Sequence, residues 1–461
     1  MNPEQEEMGT RNESGNTQDV VFVDTGLILR AMEGMQKSRQ EFQSLLEQAE
    51  LGDSSVQFDL GARYANADGT DRDMAKAAFW FAQAAELGDL RAQEALGRCY
   101  QLGEGVEQDE ARAVELFTQA AEQGYAQAQT SLGLCYENGI GVEKNPARAV
   151  ECYLQAAEQE YAPAMCDLAV CCLNGIGMEA DLEQGMDWLK RSAAQDYPRA
   201  LSILGGCCEA GEGVEQDEAQ AVRYYRKAAE QGYAPAQCNL AVCYLNGTGV
   251  EQDIAESLVW LEKAAGDGFP RAQCILADLL KSGEGCPADP ERAVELYRQA
   301  AEQEYPPGLC NLGLCYELGE GVEQDLERAV ALYLQAAREG YAPAMCNLAV
   351  CYLNGNGVEQ DPAQAVPWLE QAVEQGFSRG LYLLALCRKE GDGVEQDKVQ
   401  AAQLLQRAAE QDYPPAQCEL GLCYEIGEGV EENPEQAVAL YRKASEHGYA
   451  PAQCNLGYCY L

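Results

Sequence analysis

The sequence predicts an all-α chain, an α/α solenoid of helix-loop-helix units. Three observations carry this. A Gly-x-Gly pair begins at Gly103, Gly139, Gly175, Gly211, Gly247, Gly283, Gly319, Gly355, Gly391 and Gly427, each 36 residues after the last. A leucine holds one column from Leu60 to Leu456, and each is followed by Gly or Ala. Asp or Asn holds another column in every complete unit, from Asp73 to Asn433. A fixed period of this size marks a repeat architecture, in which a unit buries its apolar face only against its neighbours.

One unit, residues 126–161, shows the parts in order. AQAQTSLGLCYEN has apolar and small residues near helical spacing and predicts a first helix, here helix A. Gly139 and Gly141 end it, because glycine supplies the left-handed cap. Val142 follows as a buried loop anchor, and Asn145 begins helix B by accepting from the free N–H groups of its first turn. Pro146, Pro290, Pro362 and Pro434 support that register, since proline is favoured at the first helical position. A Tyr or Phe, from Tyr125 to Tyr449, then leads into the next unit, and these rings are expected to pack between units. Paired alanines such as Ala120 and Ala121 allow close helix approach. Helix A is expected on the inner, concave wall, and Pro367 is expected to kink its helix B.

At this point the segment ALGRCYQLGEGVEQDEARAVELFTQAAEQGYAQAQ resembles the Sel1-like repeat (SLR), a branch of the tetratricopeptide-like superfamily. The features that match are Leu96-Gly97, Tyr100, Gly103-x-Gly105-Val106, Asp109, Ala113 and Ala120-Ala121, and the resemblance covers roughly residues 38 to 461. It implies a right-handed superhelix of about twelve repeats. It also implies scaffold and adaptor work through protein contacts.

The ends differ from the middle. Residues 1–24 are expected to be a disordered acidic tail. Residues 25–52 are expected to form a capping helix with Met32, Met35, Phe42, Leu45 and Leu46 on one side, and residues 53–461 the solenoid. The last unit stops at Leu461, midway through a helix A. Because solenoids need a polar terminal cap, this predicts a longer natural product or a truncated gene. The alternative function follows from it: a regulatory arm of a larger protein or enzyme.

Charge excludes several functions. The chain has 461 residues, with 76 acidic and 32 basic ones, for a net charge of −44. Nucleic acid is an unfavourable partner, because neutralising phosphates takes Lys and Arg. An anionic membrane is disfavoured for the same reason. The N-terminus lacks the pattern of a secretory leader and no run approaches the apolar length of a membrane span, so the expected location is cytoplasmic.

The 21 cysteines invite a metal or disulfide account, which their spacing does not support. Ten share a column that includes Cys99 and Cys135, and seven share one that includes Cys166 and Cys238. The columns lie five residues apart, so they point about 140° from each other around a helix. No C-x-x-C occurs, and His447 is the lone histidine. Free thiols packed as small apolar residues are the expectation. Related cysteine-rich solenoids carry a cysteine pair where this chain has Ala121 and Gln129, so that framework is not implied here. No serine begins S-x-x-K and no phosphate-binding P-loop is present. Glu104, Glu107 and Asp109 read as a solvated loop with an N-cap rather than a calcium loop. Catalysis, metal and cofactor are therefore not expected.

The polar column before the leucine is the candidate site. It holds Asn239, Asn311, Asn347 and Asn455, with Asp167 and Glu419 in other units. An Asn side chain can donate to and accept from a peptide backbone. On the inner wall these residues would grip partner proteins, with basic or extended segments as the expected ligands.

Overall fold

The computed structural model describes residues 42–460. Every described helix belongs to the repeat except the one spanning 42–49, and there is no strand among the described residues. The residues fall in two compact units, one ending at Ser192 and one beginning at Ala193. In the first, helix A and helix B alternate from Ser54–Asn66 and Met74–Glu86 onward. In the second the same alternation runs from Pro198–Ala210 and Glu218–Ala229 to Ala450–Cys459. The chain is thus an all-α solenoid of 36-residue helix pairs.

The caps lie where the sequence places them. Gly139 takes φ +77°, and its N–H donates to the Cys135 carbonyl at 2.8 Å. Asn145 then caps helix B, Pro146–Ala157, by accepting from the Arg148 N–H at 3.1 Å. Such a cap contributes about 1 kcal/mol. Helix A has no side-chain cap in most units and begins instead at a half-buried Tyr or Phe. A buried glutamine ties it down: Gln129 Nε2 donates to the Ala121 carbonyl at 3.2 Å, across the turn from the preceding helix B. Gln57, Gln93, Gln237, Gln273 and Gln417 repeat the contact.

The two helices of a unit meet at the small residue after the leucine. Helix B lays a ring on that residue in six units: Phe81 on Gly61, Phe117 on Gly97, Tyr153 on Gly133, Tyr225 on Gly205, Tyr333 on Gly313 and Tyr441 on Gly421. A Cβ at any of these glycines would lie 2.4–2.8 Å from a ring carbon. Where the small residue is Ala169, Ala241, Ala349 or Ala385, the residue twenty places on is a buried leucine: Leu189, Leu261, Leu369 or Leu405. Glycine goes with an aromatic ring and alanine with leucine, which conserves the filled volume. The buried tyrosines also satisfy their hydroxyls. Tyr153, Tyr333 and Tyr441 donate at 2.6 Å, and Tyr225 at 2.8 Å, to Glu137, Glu317, Glu425 and Glu209 on helix A. Tyr297 faces Ala277 rather than a glycine, and its hydroxyl donates to Asp278 instead.

Within each compact unit, successive repeats meet at the second loop glycine. Gly141 has φ +63°, and a Cβ there would sit 2.3 Å from the carbonyl oxygen of Glu110, at the start of the preceding helix B. The inner side is set by the A helices. Pro270–Ser282 lies against Pro306–Leu318, and Ala342–Asn354 against Ser378–Glu390, while no two successive B helices among the described residues approach as closely.

Two expectations need comment. Pro367, expected to kink its helix B, lies inside the helix Pro362–Glu374, which continues through it. Its first turn is tighter: the Gln364 N–H donates to the Asp361 carbonyl three residues back, at 3.0 Å. Near a helix start a proline removes only one interior bond. Of the expected capping helix, residues 42–49 are helical, and Phe42 meets the Tyr64 ring edge-on at 5.1 Å. Met32, Met35 and the tail 1–24 lie outside the described residues.

The ring-on-glycine contact yields a test. Gly313→Ala should destabilise the protein by about 1–3 kcal/mol, the usual cost of overpacking. Adding Tyr333→Leu, which recreates the Ala349/Leu369 pairing, should recover part of the loss. Thermal melts followed by circular dichroism check both, and an unchanged midpoint in the single variant contradicts the contact.

Candidate interaction surface

The leucine column faces the core, so the residue before it is carried to the edge of helix A. Asn239, Asn311, Asn347 and Asn455 are all half-buried there, in the second unit. Asp167 occupies the same column in the first unit, and at 7% exposure it is buried. The five residues are therefore not one cluster. They are separate positions along the inner edges of A helices, and Asp167 belongs to a different compact unit from the asparagines.

Two asparagines are engaged by an arginine from the next repeat. Arg271 Nη1 donates to Asn239 Oδ1 at 2.9 Å, and Arg379 Nη1 donates to Asn347 Oδ1 at 2.6 Å. Both arginines sit at the second position of helix A, where several units have proline. The amide nitrogens of Asn347 and Asn455 donate to sulfur, at Cys310 and Cys418, each at 3.5 Å. Cys310 directly precedes Asn311, so Asn347 reaches the helix that carries Asn311. Glu419 accepts from Lys389 at 2.7 Å. Sequence reasoning missed the arginines. Their signal was an Arg in a column otherwise rich in proline.

Around these polar groups lie half-buried apolar residues of the same helices: Val242, Ile275, Leu314, Val350, Leu383 and Leu386. The charge of this face differs from that of the chain. The A helices of the second unit, from Pro198–Ala210 to Ala450–Cys459, hold six acidic and six basic residues. Four of the six acids (Glu209, Asp278, Glu317 and Glu425) are occupied by tyrosine hydroxyls. Burial pushes the Asp278 carboxyl above the usual carboxylate range. The acidic excess of this unit is thus carried by its loops and B helices.

The cysteines are free, and the repeat columns are buried in the core except at Cys454 and Cys459. Burial pushes the thiols of Cys99, Cys135 and Cys238 up to about 11, and those of Cys243, Cys274, Cys346 and Cys351 to about 12. Burial, and then the hydrogen bond to a carboxylate, raises Tyr153 and Tyr333 as well. Among the described residues no group of His, Cys, Asp and Glu is placed to hold a metal ion.

Stacked pairs of short helices, with their polar columns on one face, define an α-solenoid repeat protein. The repeat is the Sel1 repeat, whose family pattern matches twelve consecutive segments from residues 54–89 through 450–461. The chain belongs to the Sel1-repeat family, whose members are generally protein-interaction scaffolds. It is similar to c5321, a protective antigen of uropathogenic Escherichia coli strains with an SLR fold, at 33% identity and a TM-score of 0.56. That alignment covers 91% of this chain and 90% of the other. A Sel1 repeat protein from Oxalobacter formigenes is 32% identical over 69% of this chain and 95% of its own, with a TM-score of 0.48. No curated protein matches at a significant level.

Two outcomes follow from the thiols and tyrosines. At pH 8 a thiol reagent should label Cys454, Cys459 and the half-exposed Cys286 rapidly, and the core cysteines only after unfolding; mass mapping of the labelled peptides checks this. Stability should also fall in alkali. Cys and Tyr are neutral below their ordinary values of 9.0 and 10.0, and the fold raises both. The folded state then retains protons that the unfolded chain has lost, so stability is full below pH 9 and declines through pH 11–12. Melting temperatures measured from pH 7 to 12 test the direction.

Proposed function

We propose that the protein is a cytosolic, non-catalytic adaptor that holds an extended segment of a partner protein along the inner edges of its A helices. The observation that carries this reading is the Asn311 side chain. It is half-buried on the inner edge, flanked by the Asn239–Arg271 and Asn347–Arg379 pairs, and it makes no side-chain hydrogen bond of its own among the described residues. A free amide between apolar neighbours matches the donor and acceptor pattern of an extended backbone. Asn239, Asn347 and Asn455 are the other proposed contacts of this unit, and Asp167 is a separate proposed contact in the first unit. The many free thiols agree with a reducing compartment. The acidic loops would attract basic flanks of the partner, speeding encounter at low salt.

The test is affinity capture from native lysate with wild-type protein and with Asn311→Ala plus Asn347→Ala. The double variant should keep its melting temperature within a few degrees and lose most of the reproducible partner set. Undiminished capture by a folded double variant contradicts the proposal.

A further inference from the structure

The inner face of repeats 6 to 10 carries two arginines whose charge the protein leaves open. The same helix position in the first unit provides the contrast. There Arg91 is neutralised: its guanidinium meets Asp89 at 2.8 Å and Asp59 at 3.9 Å. Asp59 stands in the column that holds Asn239 and Asn347. In the second unit that column offers Arg271 and Arg379 a neutral amide, which orients the guanidinium and leaves its charge uncompensated. Among the described residues neither arginine has a carboxylate within salt-bridge distance. Asp278, two turns along the helix from Arg271, is taken by the Tyr297 hydroxyl, and Glu419 is taken by Lys389. On the same A helices Lys281, Arg388 and Lys389 each meet a carboxylate, whereas Arg271 and Arg379 meet only an amide, and this contrast points to a ligand of opposite sign.

We infer that the segment held on this face is acidic, with two carboxylate side chains gripped by Arg271 and Arg379. Charge complementarity on the face selects this occupant over a basic one, and the inference rests on the A-helix face being the binding surface. An arginine held in place by an amide keeps further N–H donors in a planar fork suited to a carboxylate. The two arginines are three repeats apart. At about 8–10 Å per packed element this is roughly 24–30 Å, or about eight residues of extended chain at ~3.3 Å each. Between them the free amide of Asn311 and the side chains of Ile275, Leu314 and Val350 would meet backbone and apolar groups.

The probe is a fluorescent 12-residue peptide of Ser, Ala and Leu with Glu at its second and tenth positions, compared with Gln and Lys twins on the full-length protein. Fluorescence anisotropy should show the Glu peptide binding about tenfold more tightly than the Gln twin, and the Lys twin most weakly. Arg271→Gln plus Arg379→Gln should abolish that preference. So should Asn239→Asp plus Asn347→Asp, which installs the carboxylates that neutralise Arg91 and keeps both arginines, so a folding failure in the first variant leaves the second to decide. Equal binding of the Glu and Gln peptides, or tighter binding of the Lys twin, overturns the acidic ligand while leaving the A-helix face as the binding surface. A Glu preference that survives both variants also overturns it. If no peptide binds, the inference falls, and the capture experiment with Asn311→Ala plus Asn347→Ala decides the surface separately.

Discussion

Within each compact unit most repeats are fastened to the one before where a loop glycine lies against a carbonyl; at Gly285 the close neighbour is the Ile254 side chain instead. At Gly141 the missing Cβ leaves room for the Glu110 carbonyl, and at Gly249, Gly321, Gly357 and Gly393 the same approach recurs against Glu218, Pro290, Leu326 and Pro362. A side chain here is excluded twice, by contact and by a positive φ. Where the joint is backbone on backbone, it fixes the spacing of successive repeats independently of side-chain choice. An insertion in the loop would move that glycine away from its carbonyl. The unvarying 36-residue step is the sequence record of this requirement.

Within the spacing thus set, most pairs of helices fill their interface in one of two ways, glycine under a ring or alanine under leucine, with Ala277 and Tyr297 the exception. The choice has an electrostatic consequence. Where helix B supplies a tyrosine, its hydroxyl needs an acceptor, and helix A supplies a carboxylate four residues beyond the glycine, as Glu317 does for Tyr333. A hydrogen bond to a charged group contributes about 1.5–3 kcal/mol. These acids therefore serve packing. The A helices are left with a balanced charge, while loops and B helices carry the acidic excess. The inner face presents amides, apolar groups and arginines, a composition suited to holding a segment of another protein.

Much of the fold was legible because its determinants are local. An N-cap such as Asn145, a proline at Pro146 and a left-handed glycine at Gly139 act within one turn of chain, and the repeat displays each of them many times. The asparagine column was visible by the same register. The partners of those asparagines were not. Arg271 reaches Asn239 across 32 residues, and nothing in either local segment requires it. The glycine–aromatic pairing at a separation of twenty residues was present in the sequence and becomes meaningful once the ring is seen against the backbone.

The sequence by itself determined the class of fold, the number and length of the repeats, the helix boundaries and the core positions of the cysteines. These follow from periodicity, capping and the steric properties of glycine and proline, which operate over a few residues. Tertiary structure alone decided which polar groups are already satisfied and which remain open. It placed Asp167 in the core and Asn311 at a free edge, and it turned Asn239 and Asn347 into supports for arginines. Hydrogen bonds between repeats depend on side-chain reach across the packed helices, and that distance exists only after the units have stacked.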